Sequence, residues 1–139
     1  MRRLLTLILA LLLLLTACGG GSTSGESDPP PNAAAYVQEI GQGETVFRFE
    51  ATDNNDVRTA WNVHTNEETV GAALVAIGLI SGDETDFGLM VTEVNGVIAD
   101  WDANQAFWAF YINGEFAMTG ADATYIEPGA TYAFVYTEG

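Results

Sequence analysis

The sequence predicts an α+β fold, a mainly antiparallel β-sheet with a single packed helix. Three observations carry this. Short apolar segments of strand character recur from Val46 to Thr137, with turn residues between them. Two Asn-Gly pairs, Asn95-Gly96 and Asn113-Gly114, each sit between apolar runs, the strongest short-range signal for a tight hairpin. Only one stretch, Glu68 to Ile80, carries a helical period.

The elements follow in order. Val46 to Thr52 (VFRFEAT) and Val57 to Thr65 (VRTAWNVHT) flank the turn cluster Asp53-Asn54-Asn55-Asp56 and read as a hairpin. In the second of these, Val57, Thr59, Trp61 and Val63 share one side under strand alternation. In the helical stretch, Val70, Ala73, Leu74 and Ile77, with Ile80 at the margin, form one stripe. Its start has two candidate caps, Thr65 with Glu68 three residues on, or Thr69 itself, and Ser81-Gly82-Asp83 is read as its end. Gly71 and Gly78 each weaken intrinsic helicity by up to ~1 kcal/mol, so packing must hold this helix. Phe87 to Val94 reaches the first Asn-Gly and Val97 to Asp100 returns. Asp100 to Ala106 reads as a loop. Phe107 to Ile112 meets the second Asn-Gly and Glu115 to Thr119 pairs back. Pro128-Gly129 turns the chain into a last strand, Thr131 to Thr137.

The first residues are of a different kind. Arg2 and Arg3 precede an apolar run from Leu4 to Leu15, the form of a secretory signal and too short for a transmembrane helix, which needs ~20 residues. Leu15-Thr16-Ala17-Cys18 resembles a bacterial lipobox, a signal in which the cysteine is lipidated and becomes the first residue. The expectation is a signal peptide over residues 1–17, a lipidated Cys18 opening a linker over 18–35, and one domain over 36–139. The alternative is a secreted protein whose cysteine falls near the cleavage site by chance. The linker, Gly/Ser-rich and then Pro29-Pro30-Pro31, gives a reach on the order of 20 Å for its flexible part. With one cysteine there is no internal disulfide, and the domain rests on its hydrophobic core.

All 19 acids lie after Cys18. With Arg2 and Arg3 removed, only Arg48 and Arg58 oppose them, and the mature chain carries −17. Such a surface repels phosphate backbones, which argues against nucleic-acid binding. Most of these acids fit a soluble, salt-adapted surface and name no ligand. No Ser-His-Asp, Cys-His or P-loop pattern and no zinc set is present, so the expectation is not an enzyme. Asp100-Trp101-Asp102-Ala103-Asn104 has the alternating oxygens that open a calcium loop. It lacks the glycine at the sixth position and has Tyr111 where the bidentate Glu belongs, so a solvated turn is the better reading and no metal is expected. His64, the one histidine, is open to metal ligation or to a structural place on a strand, the second favoured.

The stretches TVGAALVAIGLI, GLMVTEVNGVIADWD and FWAFYINGEFAMTGADATYIEPGATYAFVY resemble the transcobalamin C-terminal-like family over about Thr45 to Tyr136. Phe107 to Gly114, Gly120 and the strand after Pro128-Gly129 are the most specific part. The resemblance implies a β-grasp-like shape, a place at the cell surface, often by a lipid anchor, and a domain that covers one side of a bound corrinoid. The animal carriers add a large helical-barrel domain for which this chain has no counterpart, so half of that cleft is absent here.

A binding face also follows from the residues. Phe107 to Ile112 is apolar on both sides, with Phe107, Ala109 and Tyr111 on one and Trp108, Phe110 and Ile112 on the other. One helix covers one face of a sheet, so rings are left over, either as an exposed contact plane or folded under loops. Trp108 is the contact implied by the resemblance, with a core position as its alternative. Tyr111, Met118, Trp101 and Phe107 are further candidates near the same hairpin and loop, with backbone groups from Asn113 to Gly120 available to corrin amides. The expected protein is a lipid-anchored extracytoplasmic ligand-binding domain, with cobalamin or another corrinoid as ligand and no required cofactor. A surface module that docks an envelope protein or the cell wall is the alternative.

Overall fold

The computed structural model describes residues 37–139, which belong to a unit spanning Ala34–Gly139. The expected signal peptide, Cys18, the linker and Tyr36 lie outside the described residues. The fold is α+β and mostly sheet, with one helix longer than a single turn among the described residues. Nine strands run β1 (Val37–Gly41), β2 (Thr45–Thr52), β3 (Arg58–Thr65), β4 (Ile80–Thr85), β5 (Gly88–Val94), β6 (Val97–Ile98), β7 (Ala106–Ile112), β8 (Glu115–Phe116) and β9 (Thr131–Glu138). Helix α1 (Val70–Ala76) lies between β3 and β4, and a single turn α2 (Trp101–Asn104) lies between β6 and β7.

A six-stranded sheet has the order β1-β3-β2-β9-β7-β8, and a three-stranded sheet the order β4-β5-β6. Five of the pairings are antiparallel and two, β1 with β3 and β2 with β9, are parallel. The parallel contact of β2 with β9 joins the first hairpin to the last strand. It is long-range, so no turn residue announces it in the sequence.

The turns have the predicted chemistry. Asn95, Gly96, Asn113 and Gly114 all have positive φ, between 48° and 82°, as the two central residues of a twisted hairpin turn require. Asp53 Oδ1 accepts from the amides of Asn55 (2.8 Å) and Val57 (3.0 Å) and closes the β2–β3 turn.

Helix α1 is shorter than its periodicity implied. Thr69 caps it, its Oγ1 accepting from Ala72 N at 3.3 Å, while Thr65 Oγ1 instead accepts from Glu67 N. The helix ends because Gly78 takes φ +73°, with Gly78 N donating to Val75 O and Leu79 N to Leu74 O, both at 3.0 Å. These two bonds form a Schellman cap, which a glycine enters without a Cβ penalty. Ile80 therefore belongs to β4 rather than to the helical stripe, and Ser81-Gly82-Asp83 is strand rather than stop. Gly71 has a different reason: a Cβ there would lie 2.6 Å from Asp122 N, in the single 3₁₀ turn Ala121–Ala123 that packs on the helix.

The core lies on one face of the large sheet. Phe47, Phe49, Trp61, Val63, Trp108, Phe110, Tyr132 and Phe134 point into it, and Val70, Ala73, Leu74, Leu79, Ile80 and Val94 cover it from the other side. Register places Arg48, Glu50, Arg58, Ala109, Tyr111 and Val135 on the opposite face. There Arg48 Nε donates to Glu50 Oε1 at 2.7 Å and Arg58 Nη2 to Glu50 Oε2.

Burial acts to raise the Glu50 pKa, but the hydrogen bonds and charges of Arg48 and Arg58 outweigh it and hold the carboxyl below its ordinary value. The folded pKa lies under the unfolded one, so this stabilisation is complete above the ordinary carboxylate range and is lost as pH falls through the folded value. Glu50→Gln is expected to lower stability at pH 7 by about 1.5 kcal/mol, with a smaller loss against wild type at pH 3. Urea unfolding at the two pH values reads both.

Candidate functional site

A groove of about 390 Å³ opens where the small sheet meets the start of β7. Asp100 builds one wall. Its Oδ1 accepts from the amides of Asp102 (2.9 Å) and Ala103 (3.1 Å), which turns the expected loop into the one-turn helix α2. Gln105 then takes a left-handed conformation (φ 55°) and directs the chain into β7. Asn104 Nδ2 donates to Tyr136 Oη at 2.7 Å and ties α2 to β9. This sets Trp101 against Phe107, ring centroids 6.2 Å apart and tilted by 56°.

Both rings line the groove with Met90, Val91, Ile98, Ala99 and Ala106. Trp101 is 57% exposed and Phe107 38%, and Met90 and Ile98 are also exposed. The polar lining is Thr92 and three carboxylates, Asp83, Asp100 and Asp102, with no Lys, Arg or His. Pairing of Asp83 with Met90 across β4 and β5 brings the first of these to the groove. Among the described residues no three His, Cys, Asp or Glu side chains gather as a metal set.

The structure does not bring the five candidate residues together. Trp101 and Phe107 share the groove. Tyr111 sits four residues further along β7, about 13 Å away along the strand, in an edge-on contact with Phe116 at 5.8 Å. Met118 follows β8 and is 92% exposed.

Trp108 is a core residue, 6% exposed, and presents no open ring to a ligand. Strand alternation turns it inward with Phe110. Its Nε1 donates to Val97 O at 3.2 Å, and its ring meets Tyr136 edge-on at 5.5 Å. The tryptophan thus holds the small sheet against β7, and the core alternative is the correct one.

Part of the hairpin backbone is engaged as well. Asn113 N donates to Thr131 O at 2.7 Å, Asn113 Oδ1 accepts from Thr131 N, Ala117 N donates to Phe110 O, and Gly120 O accepts from Thr124 Oγ1. His64 lies away from the groove on β3, its Nε2 2.6 Å from Glu39 Oε2 on β1. Hydrogen bonds from Asn62 and His64 hold the Glu39 carboxyl below its ordinary value.

Sequence reasoning missed Met90, Ile98 and Asp83. Exposed apolar side chains on short strands carry no signal of their own. Asp83 joins them only through β4, which the helical reading of Ile80 concealed.

The domain of unknown function DUF4430 matches residues 22–138. No curated protein matches the chain. Among solved structures, a candidate metal-binding protein from Ruminococcus gnavus is similar at 25% identity with a TM-score of 0.66, over 69% of this chain and 99% of that one. Haptocorrin in complex with Cbi is similar at 17% identity with a TM-score of 0.55, over 71% of this chain and 26% of haptocorrin. At that identity the second likeness concerns the fold.

Trp101 and Trp108 are expected to separate cleanly. Trp108→Ala removes a buried ring and a hydrogen bond and should cost about 3–5 kcal/mol, whereas Trp101→Ala should change stability by less than about 1 kcal/mol. Chemical denaturation of the two variants measures the difference.

Proposed function

The chain belongs to the DUF4430 family, a domain of unknown function, and from that premise we propose that it is a binding module outside the cytoplasm, held at the membrane by a lipid on Cys18, whose ligand is a ring-bearing small molecule of the corrinoid class. One observation carries this: an open groove that keeps a tryptophan and a phenylalanine, Trp101 and Phe107, exposed to solvent. Exposed apolar surface of this kind marks contacts, and a concave apolar site with a few polar groups is the general form of a small-molecule site. The fold shared with haptocorrin, whose structure holds Cbi, supports the ligand class.

The mechanism is capture without bond making or breaking. An edge of the macrocycle enters the groove and stacks on Trp101, with Phe107, Met90 and Ile98 supplying van der Waals contact. A groove of about 390 Å³ holds part of a corrin, and a second protein or copy that closes over the ligand would raise the affinity. Docking of an envelope component is a second reading, and it rests on the separate exposed pair Phe116 and Met118.

Titration with cyanocobalamin and dicyanocobinamide, followed by corrin absorbance and tryptophan fluorescence, tests the ligand. Saturable binding that weakens about tenfold in Trp101→Ala is the expected result, tenfold being ~1.4 kcal/mol. No response up to high-micromolar ligand refutes it.

The anchor has its own test. Two acyl chains hold a protein on a bilayer durably, each buried CH₂ contributing about 0.8 kcal/mol. Cys18→Ser is expected to move the protein from the membrane fraction to the soluble one and to abolish incorporation of labelled fatty acid. Unchanged membrane retention in that variant would count against a lipid on Cys18.

A further inference from the structure

We infer that the groove selects its ligand by charge, taking a cationic, phosphate-free ring molecule over a neutral or phosphate-bearing one. This rests on the groove reading above and deepens it. The floor is apolar and aromatic, which suits a flat ring. The rim is the opposite of neutral: Asp83, Asp100 and Asp102 line it, and none of its residues is basic.

The domain's two arginines, Arg48 and Arg58, both bond Glu50 on the outer face of the large sheet. The three carboxylates lining the groove contribute a negative field at its mouth. A molecule entering meets three solvent-exposed carboxylates beside an apolar floor, and a cleft lined by one sign of charge steers association. A positive ring is attracted at several ångströms by all three, and a phosphodiester is repelled by the same groups. Among corrinoids the favoured form carries net positive charge at cobalt and lacks the nucleotide loop with its phosphate.

The experiment compares one ring at two charges. Aquacyanocobinamide is a monocation, dicyanocobinamide is neutral, and cyanocobalamin carries a phosphodiester. At low salt the cation is expected to bind about tenfold more tightly than the neutral form, the scale of three partly screened carboxylates, with cyanocobalamin weakest. The preference should collapse in 0.5 M NaCl, where the Debye length falls to about 4 Å, and should shrink in Asp102→Asn and Asp83→Asn.

Methylene blue, a flat cation without cobalt, separates this idea from the corrinoid reading. If every corrinoid fails while methylene blue binds with the same salt and Asp→Asn sensitivity, charge selection stands and the corrinoid reading falls. Equal affinity for all three corrinoids, with no salt dependence, overturns charge selection and leaves the corrinoid reading in place. Failure of all four probes to bind overturns both.

Discussion

The stack of aromatic rings on the inner face of β2, β9 and β7 is what the rest of the molecule depends on. Phe110 lies 5.0 Å from Phe134 and 6.2 Å from Tyr132, Phe49 lies 6.2 Å from Phe134 and 5.5 Å from Trp61, and Phe47 meets Tyr132 edge-on at 5.5 Å. With no disulfide available, this layer supplies the cohesion, each such ring pair adding about 0.5–1.5 kcal/mol beyond the area it buries. The Tyr132 hydroxyl accepts from Glu127 N at 2.9 Å, so even the polar tip of the layer is satisfied.

One helix of seven residues cannot cover six strands, and the three-stranded sheet takes up the remainder. Two contacts fix it there. Trp108 donates to Val97 O, and Asp122 Oδ2 accepts from Leu89 N at 3.1 Å. The groove is a consequence of this arrangement. Where the small sheet ends and β7 begins, α2 turns the chain and leaves Trp101 and Phe107 outside the seal. The groove is thus made by incomplete coverage of an aromatic sheet, and among the described residues both arginines, Arg48 and Arg58, bond Glu50 on the outer face, away from it.

Local signals in the sequence were legible wherever a residue type has one conformational use. Both Asn-Gly turns, the Asp53 turn, the Thr69 cap and the Val70-Ala73-Leu74 stripe appear where those residues require them. Signals that compete locally were misread. Gly78 looked like a weak helix position and is the helix cap, which hid β4. Asp100 looked like the start of a loop and is the cap of α2. Trp108 was legible as a ring facing Phe110's side of the strand, but nothing in a strand's alternation says which side will be covered.

By itself the sequence determined the α+β class, the hairpins and the net negative charge, because turn geometry, strand period and charge are properties of neighbouring residues. The tertiary structure alone decided the parallel union of β2 with β9, the burial of Trp108, and the meeting of Trp101, Phe107, Met90, Ile98 and Asp83 around one groove. These depend on contacts between distant segments, and whether a given ring ends inside or outside is set by which element arrives to cover it.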